Sequence, residues 1–125
     1  MPIDLKSDPP KATLFSEDAE KLAEQLHGSA GRENKNKSTQ IRRFYDELVG
    51  WHDRIGDDED KFNQYIAFIR MLNAKAAYAQ GRKLVTPDFV EWFKSCINQV
   101  DSPKTLRNFK LHFEALLGFL KSLRG

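Results

Sequence analysis

The sequence predicts an all-α protein, a compact bundle of about five helices behind a flexible N-terminal arm. Three observations carry this. Apolar residues recur at intervals of three and four, the period of one helix face, and no alternation of period two extends beyond a few residues. The composition leans to Leu, Ala, Lys, Glu and Gln, with only four valines, and so favours helix over strand. Capping residues stand where the apolar stripes begin and end. At 125 residues the chain has the size of one domain, large enough to bury a core without disulfide or metal support.

Residues 1–15 form the arm, because Pro2, Pro9 and Pro10 lie among polar residues and a Pro-Pro pair neither continues a helix nor pairs centrally in a sheet. A single helical domain, 16–125, follows. Ser16 is the expected N-cap of the first helix, with Glu17 and Asp18 at the positive end of its dipole and Gly28 at its end. Its stripe is Ala19, Leu22, Ala23 and Leu26. The stretch 29–37 breaks the periodicity and reads as a polar, basic loop. A second helix starts at Ser38 or Thr39, either of which caps it, carries Ile41, Phe44, Tyr45 and Leu48 inward, and stops near Gly50 or continues to Ile55.

The carboxylates of Asp57, Asp58, Glu59 and Asp60 cap a longer third helix, whose stripe is Phe62, Tyr65, Ile66, Ile69, Leu72 and Ala76 before Gly81. Thr86 and Pro87 provide an N-cap and a first-turn proline for a fourth helix bearing Phe89, Val90, Phe93, Ile97 and Val100. Ser102 and Pro103 repeat that signal for a fifth, with Leu106, Phe109, Phe113, Leu116, Leu117 and Leu120. Short connections between such helices imply a bundle.

The same residues narrow the function. No run of about 18 apolar residues is present, so no membrane span is expected. The N-terminal MPIDLKSDPP lacks the apolar segment of a signal peptide, and the single Cys96 cannot build a disulfide framework, so a reducing, cytoplasmic setting is expected. His27, His52 and His112 fall on three different helices without metal-ligand spacing, and read as surface or packing residues. Cys96 lies about 70° from the centre of its helix's apolar stripe, a partly buried packing position rather than a nucleophile's. The acids at 57–60 lack the alternation of a calcium loop, and the glycines are too scattered for a phosphate-binding loop. The expectation is a protein that is not an enzyme and carries no cofactor or metal.

Charge is where the chain departs from the ordinary. Arg32, Lys35, Lys37, Arg42 and Arg43 face a single acid, Glu33, a local surplus larger than the whole chain's net +2. Residues 53–60 hold five acids against Arg54. With Ile41, Phe44, Tyr45 and Leu48 inward, Arg42 lies about 110° and Arg43 about 150° from the stripe's centre, so both reach solvent. On the third helix Lys75, Tyr78 and Arg82 share a face roughly 110° to 170° from the core. Cations neutralise phosphates with release of counterions, and an exposed aromatic offers a surface to sugar and base, a combination that suits RNA. Two alternatives stay open: a tyrosine packed on another subunit or a terminal arm beside solvated cations, and a helical interaction module whose basic patch binds an acidic protein.

Two segments carry a more specific likeness. The run Ser38-Thr39-Gln40-Ile41-Arg42-Arg43-Phe44-Tyr45, followed some thirty residues later by Lys75-Ala76-Ala77-Tyr78-Ala79-Gln80-Gly81-Arg82, resembles the small subunit of the type III-A CRISPR effector, the Csm complex. The resemblance implies a non-catalytic, all-helical subunit of prokaryotic cytoplasm. It implies several copies stacked beside the guide-binding backbone subunits, lining the channel that holds guide and target RNA. Its implied partners are target RNA and the guide–target duplex, the other effector subunits and neighbouring copies of itself. Carried onto this chain, the RNA-binding positions are Lys35, Lys37, Arg42, Arg43, Lys75, Tyr78 and Arg82, meeting phosphates that carry no sequence information. Thr39 and Gln40 are placed at the helix N-terminus, Thr39 as a cap.

Overall fold

In the computed structural model, which describes residues 3–31 and 34–124, helix formation follows the apolar periods closely. The helices are α1 (Glu17–Ser29), α2 (Ser38–Ile55), α3 (Glu59–Arg70), α4 (Leu72–Gly81), α5 (Pro87–Gln99) and α6 (Pro103–Arg124), and the described residues contain no strand. Arg32 and Glu33, counted in the basic loop, and Pro2 of the arm lie outside the described residues. The expected third helix is thus divided into α3 and α4 at one residue, Met71, whose φ of −64° and ψ of −18° remain right-handed helical. α2 runs through Gly50 to Ile55 and stops at Gly56, where φ of +57° and ψ of −129° suit glycine alone.

The helix starts vary in how well they match their signals. Asp58 accepts from the Lys61 backbone N–H at 3.1 Å and caps α3 as its sequence suggests. Ser102 and Thr105 form a reciprocal box on α6: Thr105 N–H donates to Ser102 Oγ at 3.1 Å, and Ser102 N–H to Thr105 Oγ1 at 3.0 Å. Three expected caps are corrected. Thr86 holds the N-cap position of α5, but its hydroxyl donates to Asp88 Oδ1 and caps no backbone N–H. Ser16 holds the N-cap position of α1, but its hydroxyl donates back to the Ala12 carbonyl. Neither Ser38 nor Thr39 caps α2; the N-cap position falls on Lys37, and the helix begins at Ser38. Just before it, the Asn36 backbone is held on both sides, its N–H by the Leu84 carbonyl and its carbonyl by Arg124.

α6 packs against both α1 and α2, α4 against α5, and α2 against α3. Their inward stripes converge on an aromatic core of Phe44, Phe89, Trp92, Phe93, Phe109 and Phe113, with the Trp92 and Phe113 rings edge-on at 5.0 Å. Such pairs add directional attraction to the burial of large apolar area. Cys96 is fully buried in this core, deeper than its angular position predicted, and burial pushes its thiol pKa up, leaving it a packing group.

The segment expected as a flexible arm carries no α-helix, yet its described part is anchored. Ile3, Leu5 and Leu14 are buried. Gln99 of α5 brackets the strand-like stretch, accepting from Leu5 N–H at 2.8 Å and donating to the Ile3 carbonyl at 2.6 Å. Asn108 of α6 donates to the Leu5 carbonyl at 2.9 Å, and His112 binds the Leu14 carbonyl at 2.7 Å. Proline removes helix as an option for these residues, and side-chain amides replace the partners a sheet would have supplied.

Candidate nucleic-acid interface

The outward faces of α2 and α4 form a groove. On α2, Gln40, Arg43 and Glu47 follow the i, i+3, i+7 spacing of one face, and on α4 Lys75 and Tyr78 do the same. Between them lies a cavity of about 420 Å³, floored by Phe44, Ala79 and Leu84. Lys75 Nζ donates to Glu47 Oε1 at 2.7 Å, while Glu47 Oε2 is buried without a hydrogen-bond partner. Tyr78 is 65% exposed, an unusual state for a large aromatic ring. Arg82 donates to the Tyr78 hydroxyl at 3.1 Å, and its Cζ lies 5.7 Å from the ring centroid. That hydrogen bond raises the arginine's pKa.

Arg43, Lys75, Tyr78 and Arg82 are therefore brought together. Arg42 is not: it lies on the opposite flank of α2, its Nε 3.9 Å from Asp46 Oδ1. Its neighbour there is Tyr45, whose hydroxyl donates to Glu114 Oε1 at 2.9 Å, and whose pKa is pushed up to about 12 by burial and by that carboxylate. Lys35, half-buried, and Lys37, exposed, flank Asn36. The loop meets the groove's end where Asn36 N–H donates to the carbonyl of Leu84, a groove residue, at 3.0 Å.

The family comparison supplies the remaining observation: the Csm2 Type III-A family model matches residues 10–125. The chain belongs to the Csm2 Type III-A family. It is accordingly a small subunit of a type III-A CRISPR complex, in company with that complex's other subunits. No curated protein and no solved structure matches the chain.

Two features of this Csm2-family chain escaped sequence reasoning. Asn36 is fully buried, with φ of +60°. Its Nδ2 donates to the Leu26 carbonyl at 3.1 Å and to Thr86 Oγ1 at 2.9 Å, its Oδ1 accepts from Thr86 N–H at 2.9 Å, and Arg124 binds its carbonyl at 2.5 Å. One residue thus ties the basic loop to α1 and the start of α5 through its side chain, and to the end of α6 through its carbonyl. Asparagine's tolerance of positive φ was the available signal, lost between two lysines. The second feature is aromatic. Trp51 and Phe68 stack at 5.8 Å and 10°, and the Arg54 guanidinium lies 5.2 Å from the Trp51 ring centroid and 5.7 Å from that of Tyr65. Trp51, Arg54, Phe68 and Met71 line a cavity of about 300 Å³ that meets the first groove at the Lys75–Glu47 pair.

The histidines stay apart, with His27 exposed, His52 beside Asp53 at 3.5 Å and His112 buried. Among the described residues no three His, Cys, Asp or Glu side chains converge as metal ligands do, and no helix is long and apolar enough to cross a membrane.

Proposed function

We propose that this Csm2-family chain is a non-catalytic, RNA-contacting subunit, stacked in several copies along a cytoplasmic type III-A ribonucleoprotein of a prokaryote. Its basic face meets the backbone of target RNA paired with guide. The observation that carries the reading is the groove lined by Arg43, Lys75 and an exposed Tyr78, whose hydroxyl accepts from Arg82. Lys35 and Lys37 extend the positive surface at the groove's end, and Arg42 adds to it from the far flank of α2. Surface cations of this kind favour a polyanion whatever its sequence, as befits a complex in which guide pairing reads the target.

The test is retention of target RNA by the assembled complex when Arg43 and Arg82 are each changed to Glu and Lys75 to Gln. Target retention falls and its salt dependence flattens, while the melting point of the free subunit barely moves, since exposed substitutions cost within about 0.5 kcal/mol. Unchanged retention would falsify the reading. A protein-interaction module is the second reading, favoured by the exposed Phe68 and Met71 beside the half-buried Trp51. It predicts that nuclease treatment leaves an acidic protein partner bound.

A further inference from the structure

Phosphates account for Arg43, Lys75 and Arg82, but not for everything between them. A backbone contact needs no apolar floor, yet Phe44, Ala79 and Leu84 supply one, and it needs no ring, yet Tyr78 stands 65% exposed beside that floor. We propose that the groove between α2 and α4 takes one unpaired nucleobase of an RNA strand, with the flanking phosphates on Arg43 and Lys75 at its rim. This rests on the reading that the face meets RNA, and it names the part of the RNA that enters.

Four features of the groove fit a base. Its volume of about 420 Å³ lies within the roughly 300–1,000 Å³ of small-molecule sites. Its aromatic and aliphatic lining gives a planar base a face to leave water against, as stacking platforms do for single strands. Its rim is cationic on the α2 side through Arg43 and on the α4 side through Lys75, so the charged backbone stays at the mouth while the base goes in. Its polar edge holds the Gln40 amide and the Glu47 carboxylate, whose Oε2 is buried with no hydrogen-bond partner. A small rotation of that carboxylate offers the vacant acceptor to a base amino or imino N–H. Paired bases are stacked inside their helix and present only backbone, so the groove selects nucleotides that are single-stranded or turned out of the stack.

The experiment measures binding of the full chain to three labelled ligands of equal length by fluorescence anisotropy. They are an unstructured single-stranded RNA, the same ribose-phosphate strand without bases, and a blunt RNA duplex. The base-bearing strand binds about tenfold tighter than the abasic one, within the range that stacking of one base supplies. Ala74→Phe fills the groove from an exposed lining position and moves that ratio toward one, and Tyr78→Ala does the same by removing the ring. Equal affinity of the unaltered chain for base-bearing and abasic strands overturns the base site and leaves the backbone reading standing. Tighter binding of the duplex than of the single strand overturns it too. Binding to none of the three at low salt overturns both.

Discussion

Asn36 concentrates several jobs in one side chain, and its neighbours leave it no substitute. Its amide donates to two acceptors and accepts from one donor, all buried, from a left-handed backbone position. Asn36→Ala strands those groups away from water and strains the backbone, and costs about 2–4 kcal/mol in chemical denaturation. Asn36→Asp keeps the backbone preference but turns an oxygen on the Leu26 carbonyl and Thr86 hydroxyl, so it destabilises as well; wild-type stability for Asp would show that the amide is not the tie. At the same scale Arg42 and Arg43, adjacent in sequence, separate in function. Arg43 lines the groove, whereas Arg42 lies across the helix near Asp46. Arg43→Glu weakens RNA binding several-fold more than Arg42→Glu when both are titrated at one salt concentration. Equal losses would spread the interface around both flanks of α2.

Among the elements, the N-terminal segment has its own pH dependence. His112 accepts a hydrogen bond from the Trp92 indole N–H through Nε2, so its proton sits on Nδ1 and is donated to the Leu14 carbonyl. Burial lowers its pKa below the ordinary 6.5, against the smaller opposing pull of Leu14 and Asp18. The unfolded chain takes up a proton near that ordinary value while the folded chain resists it. The contribution is therefore whole above about pH 6.5 and is lost as pH falls toward the depressed folded value. The melting point drops across that window in the wild type and not in His112→Gln, which keeps a donor and an acceptor without titrating; parallel profiles would remove His112 from the account. Asp4, held at about 2 by hydrogen bonds from Ser7 and Lys6, acts separately and only below its ordinary 3.8. α3 and α4 teach a related lesson, since a break at the exposed Met71 left the inward stripe in register from Phe62 to Ala79.

At the scale of the whole molecule, one side carries two kinds of surface. Phe68, Met71, Lys75, Tyr78 and Arg82 follow one outward stripe along α3 and α4, apolar at one end and cationic at the other. Phe68 is 49% and Met71 54% exposed. Exposed aromatics and methionine near an arginine have the composition of a protein interface. Changing both Phe68 and Met71 to Ser lowers recovery of the other effector subunits in a tagged, nuclease-treated pull-down. The free chain's melting point changes little, because neither side chain belongs to the core. Undiminished recovery would assign the aromatic end no part in assembly.

The all-α class, the inward stripes and the outward Arg43, Lys75, Tyr78 and Arg82 were determined by the sequence alone, because helical periodicity is local and places each residue on its own helix's face. The residues of the run 38–45 and of 75–82 also carried the family resemblance that the match over residues 10–125 bears out. Tertiary structure decided the rest. Which flank of α2 faces α4, and so why Arg43 joins the groove and Arg42 does not, depends on how two helices distant in sequence are set against each other. The same holds for the seating of Ile3 and Leu5 by Gln99 and Asn108, and for the role of Asn36. The anchoring of Leu5 and the Asn36–Thr86 bonds depend on partners about fifty or more residues away, and a hydrogen bond across such a span leaves no periodic trace in the sequence.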